Sequence, residues 1–245
     1  MGDGPLPAMI GIGGASGFWG ESSLATPQLL DAGSIDYLVY DYLAEITMSI
    51  MARARARDPS LGYATDFVSE VLAPHLAEIQ RQGVRVLSNA GGVNPAACGQ
   101  AIEALIDEQG LSLKVAVVTG DDLADRLPEL AGQNIVEMFD GRPLPAPAAI
   151  ASVNAYLGAA PVVAALAAGA DIVITGRCAD SALALAACRH AFRWPADGWD
   201  LMAAGSLVGH LLECGPQTTG GNFTDWDEVA ESLDRIGYPL SLIHI

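Results

Sequence analysis

Basic residues are scarce in this chain: 12 Lys and Arg stand against 29 Asp and Glu, a formal charge of −17. Such a field repels a phosphate backbone, so nucleic acid is excluded as a general partner, and it disfavours an anionic membrane surface. Aromatics are also few, at 6%, while Ala and Gly abound, which suits helices packed on a sheet better than an all-β sandwich. The cysteines Cys98, Cys178, Cys188 and Cys214 form no CxxC pair and have no histidine at zinc spacing, so reduced, packed thiols are expected. Met1 to Pro7 lacks Lys and Arg and is too short for a secretory leader. The apolar stretch from Ala155 to Ala170 falls short of the ~20 residues of a membrane span. No membrane contact and a cytoplasmic location are therefore expected.

What remains is apolar. Hydrophobic residues make up 51% of 245 positions, enough to bury the core of one large domain. Five short apolar runs are predicted strands: Ala8–Ile12, Tyr37–Tyr40, Val84–Leu87, Val115–Val118 and Asp171–Ile174. Four of them run without alternation, as strands buried on both faces do. Predicted helices lie between them, over Ser22–Ala32, Tyr42–Arg57, Thr65–Gln82, Pro95–Glu108, Asp122–Ala131 and Ala155–Ala168, with another over Leu201–Leu212. The β-α repeat implies an α/β fold, a mostly parallel sheet with helices on both faces in Rossmann-like layers. From Trp194 onward the texture turns loop-rich.

Ligands of open α/β sheets bind beyond the carboxyl ends of the strands, and the polar loops fall there. After the first strand, Gly13, Gly14, Ser16 and Gly17 offer amides for an anion, or a tight turn, or a loose dinucleotide spacing with Asp41 on a ribose. After the second, Asp41 and Glu45 share a face if a helix starts at once, as an acid–base pair would; otherwise Asp41 caps that helix. After the third, Asn94 is a natural N-cap before Pro95, which leaves Asn89 to orient a carbonyl or carboxylate. After the fourth, one of Asp121 and Asp122 caps a helix and the other is available to the site.

After the fifth, Arg177 suits a clamp on a carboxylate or phosphate, or an ion pair with Asp180 or Asp121. His210 and Cys214, four apart, match a nucleophile pair or a structural histidine. Arg53, Arg55 and Arg57 read as cations at a helix C-terminus. Asn222 lies in a stretch of small polar residues suited to a pocket rim. The candidate catalytic set is thus Asp41, Glu45, Asn89 and Asp121, with Gly13, Gly14, Ser16, Gly17, Arg177, Asp180 and Asn222 as substrate-binding candidates. No strict spacing assigns a metal among Asp41, Glu45 and Asp121, and no motif names a cofactor.

The blocks GYATDF (62–67), SNAGGVNP (88–95), NAYLGAAPVVAALAAGADIVITGR (154–177) and HLLECGPQTTGGNFTDW (210–226) resemble the acyclic terpene utilisation AtuA family. The likeness runs from about Met9 to Pro239. It implies a catabolic role in the breakdown of citronellol- or geraniol-like branched acids as CoA thioesters, by a lyase or hydratase step. The implied partner is a small-molecule substrate such as a CoA thioester, with a homo-oligomer as a further expectation. Beside the enzyme stand two other readings, a non-catalytic binding subunit of a larger complex and a nucleotide-dependent oxidoreductase. Residues 9–239 are expected to form the family's N-terminal α/β domain, incomplete at its C-terminus. Residues 240–245, LSLIHI, match the reading of a sequencing-library adaptor and are expected to be a non-native tail.

Overall fold

The structure, a computed structural model, describes residues 6–244; the first five residues of the leader reading and Ile245 of the proposed tail lie outside it. Among the described residues six strands form one sheet: β1 (Met9–Ser16), β2 (Tyr37–Tyr40), β3 (Arg85–Ser88), β4 (Val115–Val118), β5 (Ile172–Thr175) and β6 (Leu240–His244). Their order is β4-β5-β3-β2-β1-β6. All pairings are parallel except β1 with β6, which is antiparallel from Met9↔His244 to Gly13↔Leu240. The α/β class expected from the sequence is the class observed.

The alternation of side chains along each strand sorts the core into two halves. Leu38, Tyr40, Val86, Ile172 and Ile174 face one cluster, shared with α1 (Ala25–Asp31), α2 (Glu45–Arg57), α3 (Leu76–Gln82) and α4 (Pro95–Glu108). Tyr37, Val39, Leu87 and Val173 face the other, with α6 (Ala160–Ala167), α7 (Ala182–Phe192) and the end of α8 (Trp199–Leu212). The short α5 spans Leu127–Ala131. Among the described residues, no helix is long and apolar enough to cross a membrane.

This layering fixes where a ligand can sit. The chain passes β1, β2 and β3 in spatial order, skips a place to β4, then returns to lay β5 between β4 and β3. The segment after β3 therefore leads to α4 on one face, and the segment after its neighbour β5 leads to α7 on the other. Two loops that diverge to opposite faces leave a crevice at the carboxyl ends of adjacent strands.

Several local expectations shift. The first strand reaches Ser16 and not Ile12, so Gly13, Gly14 and Ser16 belong to β1 and not to a loop after it. Helix α2 begins at Glu45 and not Tyr42, so Asp41 and Glu45 do not share a helical face. The predicted helix over Thr65–Gln82 is broken into a π-helical segment, Phe67–Leu72, and α3. Pro74 lies between them, and a proline interrupts helical hydrogen bonding. The stretch expected to be helical from Ala155 starts its helix only at Ala160. Its first residues run extended instead, with bridges Asp122↔Asn154 and Leu157↔Cys178. Asn94 does stand at the N-cap of α4, but its amide donates to the carbonyls of Pro59 and Leu61 at 3.0 and 2.8 Å and makes no capping bond.

Candidate functional site

Asp41 leaves the end of β2 with only 6% of its surface exposed. Its Oδ1 accepts from the Asn89 side-chain amide at 2.6 Å and from the Leu43 N–H at 3.3 Å. Asn89, fully buried at the end of β3, uses its other side-chain atom to accept from the Tyr42 N–H at 2.7 Å. Both ends of this amide are thus engaged by the protein, and its effect is to hold Asp41 in place. Burial pushes the Asp41 carboxyl up to about 7; the Asn89 hydrogen bond opposes the rise, Asp180 adds to it, and Arg177 opposes it. Loss of hydration outweighs the bonds received because the charged form forfeits more solvation than one amide returns.

Arg177 follows β5 and is 4% exposed. Its Nη1 lies 3.1 Å from Asp180 and its Nη2 3.6 Å from Glu45. The guanidinium stacks on Tyr156, 4.0 Å from the ring centroid, and the Tyr156 hydroxyl donates to Glu45. That hydroxyl is the main cause holding the exposed Glu45 carboxyl below its ordinary value. Among the described residues, no acceptor reaches the buried Arg177 Nε.

Asp121, buried after β4, accepts from the Arg177 backbone N–H at 2.8 Å and from Asn154 at 2.9 Å. It anchors the loop that carries Arg177. A Cβ on Gly176 would stand 2.4 Å from the Asp121 carboxylate, so only glycine permits this approach. Asp122 accepts from the Ala124 N–H at 2.9 Å in the turn before the short helical segment Ala124–Arg126, whose N-cap is Leu123, so neither aspartate forms the expected cap.

The C-terminal end of α8 closes the arrangement. Asp41, Asp180 and Glu213 each bring a carboxylate oxygen within 4.8 Å of the others. Glu213 is 8% exposed; His210 lies 2.6 Å from its Oε1, while the buried Oε2 has no partner among the described residues. Burial, then the charge of Asp180, raises the Glu213 carboxyl above its ordinary value. Burial and neighbouring negative charge thus favour the protonated forms of Asp41 and Glu213. Its oxygens are also the hard donors that a divalent cation such as magnesium takes. Arg177 beside Asp180 supplies positive charge to the same place.

The remaining candidates fall in two groups. Ser16 is buried at the end of β1, its hydroxyl 3.0 Å from the Phe18 carbonyl and 3.4 Å from that of Asp41. Gly17 packs against the Cys214 backbone, which ties the β1 end to the α8 end. Its N–H donates to the Glu21 carboxylate at 2.6 Å, so an anion of the protein occupies that amide. The Gly14 N–H donates to the Pro239 carbonyl at 2.8 Å, and Gly13 lies within the sheet, opposite Leu38. Asn222 is exposed and bonds Gln217 in its own segment. Burial raises the Cys214 thiol, with Glu213, Asp41 and Asp180 adding to the rise, and His210 is paired with Glu213. That is no setting for a thiolate nucleophile.

Sequence reasoning left Glu213, Tyr156 and Asn154 out of the site. A polar pair within the small apolar stretch 151–165 was a signal for the last two, but the helix expected there hid it. A family model described as "Acyclic terpene utilisation family protein AtuA" matches residues 10–244. No curated protein and no solved structure matches the chain.

Proposed function

The chain belongs to the acyclic terpene utilisation AtuA family, and from that premise we propose that the switch-point crevice is the active site of an enzyme acting on a branched acyl-CoA thioester. The chemistry proposed is proton abstraction next to the thioester carbonyl, the step by which a hydratase working in the dehydration direction forms an enolate. The observation that carries this reading is Asp41, a buried carboxyl poised near 7 beside an arginine whose Nε has no acceptor among the described residues. A base so poised exchanges a proton with substrate at neutral pH.

In this reading the ionised Asp41 takes the proton. The electron pair left on carbon moves to the carbonyl oxygen, and Arg177 donates to the developing oxyanion. Asn89 positions Asp41, and Tyr156 and Asp121 position Arg177. The Glu21 carboxylate on the Gly17 amide opposes a dinucleotide phosphate at the end of β1, so the oxidoreductase reading loses its anchor.

Turnover of branched acyl-CoA thioesters tests the proposal. Asp41→Asn is expected to lower kcat about 100-fold or more while leaving thioester binding in place. The wild-type rate is expected to rise with pH through about 7 and then level off. Wild-type rates in Asp41→Asn, or thermal stabilisation by NAD with none from CoA thioesters, would overturn it.

A further inference from the structure

The crevice holds a carboxyl group that proton abstraction by Asp41 leaves unused. Glu213 directly follows the last residue of α8 and is 8% exposed. It brings an oxygen within 4.8 Å of oxygens of Asp41 and Asp180. Its own two oxygens have different surroundings. Oε1 lies 2.6 Å from Nδ1 of His210, whose side chain is open to solvent. No partner among the described residues reaches the buried Oε2. A buried polar atom left without a bond costs free energy until a partner arrives.

The titratable and charged groups around Glu213 come from every element packed there. Asp41 ends β2, Arg177 and Asp180 follow β5, and His210 and Cys214 belong to its own segment. Asp180 is half exposed and engaged by the Arg177 guanidinium at 3.1 Å, and Asp41 is held by Asn89. An enolate formed next to the thioester carbonyl goes on to an alkene only when the neighbouring carbon loses its hydroxyl. Near neutral pH that group departs readily only as water, so an acid must protonate it. Base and acid must each come within about 2.6–3.2 Å of their partners on two adjacent carbons. Carboxyl oxygens as close as those of Asp41 and Glu213 meet that requirement on one face of a substrate.

We infer that Glu213 is the catalytic acid of this crevice, giving a proton from Oε2 to the departing hydroxyl of a branched β-hydroxyacyl thioester. The inference rests on the reading of Asp41 as the base, and it narrows the substrate class to thioesters with a hydroxyl on the carbon next to the enolate. Asp41 takes the α-proton, and the enolate electron pair then forms the carbon–carbon double bond. The bond from the β-carbon to oxygen breaks, and the hydroxyl leaves as water with the Glu213 proton. Asp41 is left protonated and Glu213 ionised. His210, touching Oε1 from the solvent side, passes a proton back to Glu213, and Asp41 releases one to solvent. Burial favours the protonated form of Glu213, which an acid needs before it acts.

The test follows three thioesters on the intact chain. Exchange of the α-hydrogen of isocaproyl-CoA with deuterated water reads the base alone. Dehydration of β-hydroxyisocaproyl-CoA needs base and acid, and β-chloroisocaproyl-CoA expels chloride with no proton required. Glu213→Gln is expected to dehydrate the hydroxy thioester about 100-fold or more slowly than wild type. It is expected still to exchange the α-hydrogen and to expel chloride, which also shows that the variant is folded. Dehydration at the wild-type rate in Glu213→Gln overturns the inference and leaves the Asp41 reading standing. A folded variant that loses all three reactions together marks Glu213 as a structural group and overturns it as well. So does a wild type that exchanges the α-hydrogen and expels chloride but not the hydroxyl, a result that needs no variant. A wild type that exchanges no α-hydrogen overturns the proposed active site itself, and the inference with it.

Discussion

Asp41 ties stability to pH as well as carrying the proposed chemistry. Its carboxyl rises from an ordinary 3.8 to about 7 in the folded state, so the native protein binds the extra proton between those values. The protonated form's contribution is fully present below 3.8 and is lost as pH climbs through 7. Replacing the group with a neutral amide removes that loss. Asp41→Asn is therefore expected to be more stable than wild type at pH 8 by about 1–3 kcal/mol, with the gain fading towards pH 4. Denaturant unfolding at both pH values checks this, and an equal difference at the two would contradict it. The same substitution expected to slow turnover is thus expected to stabilise the fold, as a trade between stability and activity would have it.

At the scale of elements, the crevice depends on close contact between α8 and the start of α7. A Cβ on Gly209 would meet the Ser181 backbone at 2.6 and 2.7 Å. One on Gly205 would meet side-chain atoms of Leu185 and Trp194, at 2.7 and 2.9 Å, and reach the Cys188 Cβ only at an ordinary 3.8 Å. Side-chain ends move aside and backbone does not. Gly209→Ala is expected to cost about 1–3 kcal/mol and Gly205→Ala distinctly less, measured by thermal or denaturant unfolding. Gly209→Ala also draws Glu213 away from Asp180, because both ride on the elements forced apart. The helix over Pro95–Glu108 and the strands β2 and β4 were legible residue for residue, since each is a run of one pattern between clear breakers. The segment before α6 was not. Its alanines favour a helix, but bridges to Asp122 and Cys178 hold it extended.

Over the whole molecule, the charge of the site gathers at one end of one sheet. Carboxylates meet Arg177 at the carboxyl ends of the strands. The sheet is closed on one side by β6, whose Ile243 packs partly into the second core cluster. Without β6 the glycine-rich β1 becomes an exposed edge, open to pairing with another chain. Deleting residues 240–245 is expected to cost about 1–3 kcal/mol and to promote self-association, seen by unfolding and by size-exclusion chromatography. Unchanged stability and mass would show that β1 tolerates an open edge.

The sequence by itself determined the class of fold and the chemical character of the loops. Unalternating apolar runs demand a sheet covered on both faces, and the polar residues left between them must lie at its ends. It also marked Asp41, Asn89, Asp121 and Arg177 as residues in those loops. Only the tertiary structure decided which of them meet and in what role. Asn89 and Asp121 spend their hydrogen bonds on Asp41 and on the Arg177 loop. Glu213, far along the chain, joined the cluster through the packing of α8. The reason is physical: the propensity and pattern of a segment are local, whereas the shift of Asp41 towards 7 is the sum of burial by strands, helices and charges distant in sequence.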